Sequence, residues 1–169
     1  PEQKNHFNHQ IFEENKLPPR ATFFGAEAAE IIDKEHSNRF ISLNGDWKFK
    51  WVETPKLVPE NFWQVDFDVS EWDEIKVPSN WQMEGFGHPK FRNVALSFES
   101  DPPHIPEYYN PTGCYKRTFS VPEGWKDKEL LLRFEGIKSA SYVWVNGQKV
   151  GYNQGGFEPA EYNISPYVR

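Results

Sequence analysis

The chain has a single cysteine, Cys114, and a single methionine, Met83. One cysteine excludes an internal disulfide and a cysteine metal cluster. The five histidines, at positions 6, 9, 36, 88 and 104, show no metal-ligand spacing, and neither a P-loop nor a dinucleotide-binding fingerprint is present. No stretch approaches the roughly 20 apolar residues that a membrane helix needs. Positive charge is in short supply, with 19 Lys+Arg against 25 Asp+Glu and a net charge of -6. A general nucleic-acid binder needs a basic face for the phosphates, so that class is set aside. The start, Pro1-Glu2-Gln3-Lys4, lacks the apolar core of a signal peptide. A chain that begins at proline is expected to lack its natural start, and any targeting signal with it.

Aliphatic residues are also few. The hydrophobic fraction is 37%, while Phe 14, Trp 7 and Tyr 7 bring the aromatic share to 17%. Rings therefore carry much of the apolar volume, and each buries a large area. They are also flat surfaces on which a ligand can stack. A length of 169 residues suits one domain.

Residues 1–38 are polar and irregular, with Pro18-Pro19 blocking helix and Ala26–Lys34 able to form a short helix at best. This arm is expected to lie over the surface of something larger. Strand pattern begins at Ile41-Ser42-Leu43, followed by the turn signal Asn44-Gly45. In Trp47-Lys48-Phe49-Lys50-Trp51 the rings point one way and the lysines the other, which reads as a half-buried strand. A helical turn is expected at Pro59–Trp63, and a short strand at Glu74–Val77 stopped by Pro78. The stretch from Ser79 to Thr112, with five prolines, reads as a long loop that is functional or packs on a neighbour.

Alternation returns at Tyr115–Val121, Glu129–Glu135, Ser141–Val145 and Gln148–Tyr152. Asn146-Gly147, between the last two, is a hairpin signal because both residues accept the positive φ of a type I′ turn. Short strands, turn punctuation and almost no helix predict an all-β jelly-roll sandwich. Tyr162–Arg169 reads as the approach to a strand that does not follow, so the sandwich is expected to be truncated at its C-terminal edge, as a piece of a larger protein.

Four ordered segments carry a resemblance: Phe40–Phe49 (FISLNGDWKF), Val77–Gln82 (VPSNWQ), Asn110–Tyr115 (NPTGCY), and Phe134–Ala140 continued through Val150-Gly151-Tyr152. Together they resemble the amino-terminal sugar-binding domain of bacterial β-galactosidases in glycoside hydrolase family 2, over essentially the whole chain. Leu17–Phe23 is similar to that family's leader. The resemblance implies a galactose-binding-domain-like jelly roll over 39–169, behind the 1–38 arm. It also implies that the retaining hydrolysis of terminal β-D-galactosides belongs to a TIM barrel in another part of the enzyme. The close pair of carboxylates that such chemistry needs would sit in that barrel, so no catalytic residue is expected in this chain. The partners it implies are the other domains of the enzyme, a galactoside and further copies in a homo-oligomer. Nucleic acid and membrane are not among them. Magnesium and sodium are cofactors of the whole enzyme on this reading, with none in this chain, and both bacterial cytoplasm and periplasm stay open as its compartment.

The resemblance also names residues. Asn93 matches a family asparagine on a loop that reaches the galactose, where an amide donates to one hydroxyl and accepts from another. The alternative is an Asn that satisfies its own loop backbone. Some family members carry an aspartate that helps bind sodium where this chain has Gly155, in Gly151-Tyr152-Asn153-Gln154-Gly155-Gly156. Glycine has nothing to ligate with, which puts that metal site in doubt. Trp81, between Asn80 and Gln82, is either a stacking platform for a pyranose or a buried packing ring. Trp47, Trp51, Trp125 and Trp144 read as packing residues and Cys114 as a buried small residue, while His88 and His104 read as solvated. Asp46 and Glu161 are expected to cap turns or face solvent. An autonomous carbohydrate-binding module and a subunit-contact element are the competing functions.

Overall fold

The computed structural model describes residues 5–30, 33–89, 101 and 103–168. Its strands are β1 (Glu13–Glu14), β2 (Gly45–Val52), β3 (Asp73–Val77), β4 (Thr112–Lys116), β5 (Leu131–Phe134), β6 (Ser141–Val145), β7 (Gln148–Asn153) and β8 (Ala160–Asn163). Short 3-10 turns interleave with them, and no α-helix occurs among the described residues. All pairings are antiparallel, in sheets ordered β1-β7-β6, β3-β2-β4 and β5-β8. The fold is an all-β antiparallel sandwich.

The core lies in two clusters. Val143 and Val145 of β6 and Val150 of β7 pack on Ala160 and Tyr162 of β8, with Ile164 just beyond them. Phe62, Trp72 and Cys114 form the second, with Trp63 and Trp144 against them. The ring of Trp144 stacks on Trp63 at 5.3 Å and 11° and meets Phe62 edge-on at 5.7 Å, so β6 contributes to both clusters. Cys114 is 2% exposed, and burial pushes its thiol up to about 12.

Most expected strands are present, with shifts that have physical causes. Phe49, central in the alternating run, is fully buried, and Asn146 and Gly147 take φ values of 50° and 80° as the hairpin requires. The strand expected at 115–121 occupies Thr112–Lys116 instead. There β4 pairs with β2 in the register Lys48↔Lys116 to Val52↔Thr112, and Arg117 turns its guanidinium to the carbonyls of Asn44 and Asp46, both at 3.2 Å. Lys48 and Lys116 face each other across this register. Their charges go elsewhere: Lys48 pairs with Glu74 on β3 at 3.0 Å, and Lys116 donates to the carbonyls of Phe62, Gln64 and Phe67. A 3-10 turn forms at Pro55–Leu57. The turn expected at Pro59–Trp63 is present as a tight turn, with the Gln64 N–H on the Asn61 carbonyl at 2.9 Å and Asn61 at a left-handed φ of 59° that keeps it from being helical.

The arm is attached residue by residue. Glu13 and Glu14 pair with Asn153 and Tyr152, which makes β1 the edge of the β7-β6 sheet and covers backbone that would otherwise be unpaired. Before it, the His6 amide donates to the Tyr142 hydroxyl at 3.1 Å, and the His6 ring Nδ1 lies 2.9 Å from that oxygen. Lys149 and Asn5 both donate to the Glu14 carboxylate, at 2.5 and 2.8 Å. His6 Nε2 is buried with no partner among the described residues, and desolvation lowers the His6 pKa below 6.5.

Two outcomes follow from this attachment. A Cβ on Gly151 would stand 2.4 Å from Tyr162 Cε1 and 2.5 Å from the Glu14 carbonyl, so both core and arm would have to move. Gly151→Ala is expected to destabilise the domain by about 1–3 kcal/mol in denaturant melts, as overpacking does. The second concerns pH. A histidine with a lowered folded pKa resists protonation in the native state, so its share of stability is full above about pH 6.5 and is lost as pH falls below that. The Glu14 carboxyl, held low chiefly by the Lys149 hydrogen bond, loses its share only at more acid pH, below the ordinary glutamate value of 4.5. Hydrogen-exchange protection of residues 5–17 should therefore decline between about pH 7 and 5 in the native chain and stay flat in His6→Gln.

Candidate functional site

Two places among the described residues bear on the candidate site. The first is a groove of about 420 Å³ over the β3-β2-β4 sheet, lined by Asp46, Trp47, Lys48, Glu74, Lys116 and Arg117 among others. Its cations are already committed: Lys48 to Glu74, Lys116 to three backbone carbonyls and Arg117 to two. Partial burial lowers the Lys116 pKa, and the three carbonyls take its donors. These contacts hold the loop from Phe62 to Phe67 on β4 and leave the groove little spare hydrogen-bonding capacity.

Trp81 belongs to the same half of the molecule, in the 3-10 turn Trp81–Glu84 after β3. Its half-buried ring packs 6.1 Å from the Phe49 ring, and a Cβ on Gly113 would be only 2.6 Å from Trp81 Cζ3. The ring thus rests on bare backbone, an approach that only glycine permits. His88 and His104 are exposed. Asn93 lies outside the described residues.

The second place is the turn where β7 ends and the arm crosses it. Gly155 lies there, just after β7, whereas Trp81 follows β3 of a different sheet. Asn153 is 3% exposed and donates through Nδ2 to the Gly155 carbonyl at 3.2 Å. Gln154 donates through its amide N–H to the Phe12 carbonyl at 2.9 Å and through Nε2 to the Tyr152 hydroxyl at 2.6 Å. Lys16 comes in from the arm, its side chain 7% exposed and its Nζ 3.3 Å from Glu13 Oε2. A Cβ on Gly155 would lie 3.3 Å from Asn153 Oδ1 and 3.8 Å from Lys16 Nζ. Phe12 and Phe157 rise exposed beside this turn, the latter under the Lys138 ammonium at 4.7 Å. Glycine at 155 supplies no side-chain oxygen to this turn, and the Lys16 ammonium stands beside it. Among the described residues, no group of three or more His, Cys, Asp or Glu is placed to hold a metal.

Glu161 corrects an expectation. It is 5% exposed rather than solvated, because two arginines cover it. Arg20 of the arm makes a bidentate pair with it, Nε to Oε2 at 2.8 Å and Nη2 to Oε1 at 2.7 Å, and Arg133 of β5 adds Nη1 to Oε1 at 3.1 Å. Arg133 also reaches Thr22 and Glu135, and the Leu17 amide donates to the Glu161 carbonyl at 2.8 Å. The arm therefore leaves the Gly155 turn along a fixed track. Neither Lys16 nor Glu161 was singled out for this role by the sequence, because their partners are remote along the chain. The only local signal was the outward position of Glu161 between two core residues of β8, Ala160 and Tyr162.

An all-β sandwich with a strapped-on arm and a polar turn at one strand end is the class of domain these features define. The chain belongs to glycoside hydrolase family 2, since the profile of that family's sugar-binding domain matches residues 40–169. The chain is 38% identical to a β-galactosidase of Priestia megaterium over 96% of its own length and 16% of the relative's. With a β-galactosidase of Vibrio vulnificus the identity is 41%, over 89% of this chain and 14% of the relative. The chain thus spans only 14–16% of the length of these relatives. Among solved structures, a β-glucuronidase of Bacteroides uniformis superposes with a TM-score of 0.56 at 26% identity, covering 76% of this chain and 13% of that one.

Removing the Glu161 charge tests the track. Glu161→Gln leaves two guanidinium groups with a neutral acceptor, and hydrogen bonds to charged groups contribute about 1.5–3 kcal/mol each. A loss in that range, with earlier proteolytic cleavage of the arm around Arg20, is the expected result of paired melting and limited-digestion experiments.

Proposed function

We propose that the chain is the amino-terminal, non-catalytic domain of a retaining β-galactosidase acting on terminal β-D-galactosides. The observation that carries this reading is the match at 38–41% identity with β-galactosidases across nearly the whole chain, which spans only 14–16% of their length. The close carboxylate pair that retaining hydrolysis needs then belongs to the barrel of the complete enzyme. The role left to this domain is to support the barrel's active site from outside, with its other domains as partners. The exposed rings of Phe12, Phe23 and Phe157 suit contact with those domains or with a second copy in an oligomer.

Asn93 is the residue assigned to the galactose. In this reading its amide hydrogen-bonds a hydroxyl of a sugar held mainly by the barrel, a contact worth about 0.5–1.5 kcal/mol. Asn93→Ala in the complete enzyme should lower kcat/KM on lactose by roughly two- to tenfold with the melting temperature unchanged. An unchanged kcat/KM would remove the role. Calorimetric titration of the 169-residue chain with lactose separates the competing reading, since an autonomous binding module gives heat without the barrel.

A further inference from the structure

The sequence holds two Asn-Gly pairs, Asn44-Gly45 and Asn146-Gly147. In both, a main-chain nitrogen can attack the preceding side-chain amide, because glycine puts no Cβ in the way. The folded chain treats the two pairs differently. We propose that Asn44 is a site of hydrolytic modification, where the Arg117 guanidinium promotes conversion of the side-chain amide to a carboxylate, while Asn146 is shielded by its own contacts.

Asn44 and Gly45 are both exposed, at the point where β2 begins. The Asn44 carbonyl belongs to the same peptide unit as the Gly45 nitrogen, and it accepts from Arg117 Nη1 at 3.2 Å. The same Nη1 would lie 3.2 Å from a Cβ on Gly45, so the cation stands over this peptide unit. Loss of the Gly45 amide proton leaves negative charge shared between that nitrogen and the carbonyl oxygen. A guanidinium on the oxygen stabilises the anion, as a preorganised donor does wherever charge develops. Among the described residues the Asn44 side-chain amide has no hydrogen-bond partner, so it is free to turn toward Gly45. At Asn146 the same chemistry is opposed. Its Nδ2 donates to the Tyr167 carbonyl at 2.8 Å, which fixes the amide that would have to turn. Gly147 is half-buried and faces Gln64 Oε1, 2.9 Å from where a Cβ would stand. An oxygen there repels a developing anion instead of stabilising it.

Water is the only co-reactant the conversion needs. The Gly45 nitrogen gives its proton to solvent and bonds to Asn44 Cγ. The Cγ–Nδ2 bond breaks, and Nδ2 takes a proton from solvent and leaves as ammonia, which closes a cyclic imide. Water then opens the imide at either carbonyl and leaves aspartate or isoaspartate at position 44. Isoaspartate lengthens the main chain just where Gly45 pairs with Val77, and either product sets a carboxylate beside Arg117.

The test incubates the complete protein at mildly alkaline pH, folded in buffer or unfolded in guanidinium chloride. Conversion is then followed by mass spectrometry of the tryptic peptides 40–48 and 139–149, which carry the two pairs separately. In the folded protein Asn44 should convert about tenfold faster than Asn146, the equivalent of one pKa unit in the attacking amide. The two rates should converge once the chain is unfolded. Arg117→Met should slow conversion at Asn44 severalfold and leave Asn146 as it was, while Arg117→Lys, which keeps the charge, should retain most of the rate. Equal rates in the folded protein, or faster conversion at Asn146, overturn the proposal, and so does an unchanged Asn44 rate in a folded Arg117→Met variant. If Arg117→Met fails to fold, the folded and unfolded native protein still decide between the two sites.

Discussion

The carboxylate of Glu161 is the constraint on which the rest of this half of the molecule depends. Strand β8 alternates, so Ala160 and Tyr162 enter the core and Glu161 emerges on the opposite face. Left to that face alone, the carboxylate would be hydrated. The arm instead lays Arg20 across it, Arg133 closes from β5, and the charge is taken out of water. Such a burial is stable only while every partner stays in place, because an ion pair that loses one member leaves an uncompensated charge inside. The arm's course is therefore not optional. Once Arg20 and Leu17 are held, Lys16 is delivered to the Gly155 turn and Glu13-Glu14 to the edge of β7.

How far the fold could be read depended on where each strand got its stability. Runs that bury one face carry their own signature: Trp47-Lys48-Phe49-Lys50-Trp51 and Ser141–Val145 alternate, and Asn146-Gly147 marks the hairpin through backbone preference alone. Strand β4 was displaced from its expected span because its ends are set by pairing with β2 and by the pull of two carbonyls on Arg117, neither of which is local. Strand β1 was illegible for the same reason. Two glutamates have no strand pattern of their own, and they become a strand only because β7 offers an open edge.

The candidate site divides along the same line. Gly155 was legible as a departure, since a missing side chain is a property of the sequence. The side chains that surround it were not. Lys16 reads as one more solvated lysine in a polar arm until the arm's track is known, and Glu161 reads as an outward-facing carboxylate until Arg20 is placed over it. Trp81 shows the converse: its type and neighbours suggested a stacking platform, but the side chain gives no sign that Gly113, remote in sequence, has cleared a bed for the ring.

That bed is one of several, and together they explain a chain rich in rings and poor in aliphatics. Large flat side chains fill a thin sandwich efficiently, but they need backbone without a Cβ where they cross a strand. Trp81 crosses at Gly113, Tyr162 at Gly151, and Trp51 meets Gly87 at 3.1 Å from where a Cβ would be. The polar tips of the rings raise a second demand. Trp47 Nε1 finds the Leu43 carbonyl at 2.8 Å, Trp125 Nε1 finds the Asn38 carbonyl at 2.8 Å, and the Tyr152 hydroxyl accepts from Gln154. The buried tips of Trp51 and Tyr162 find no partner among the described residues. Tyr162 sits against the Glu14 backbone at the arm's crossing, so its packing and the arm's pairing are solved at a single position, Gly151. The ring of Tyr162 and the backbone of the arm each demand glycine at 151, and that shared demand ties the arm to the interior.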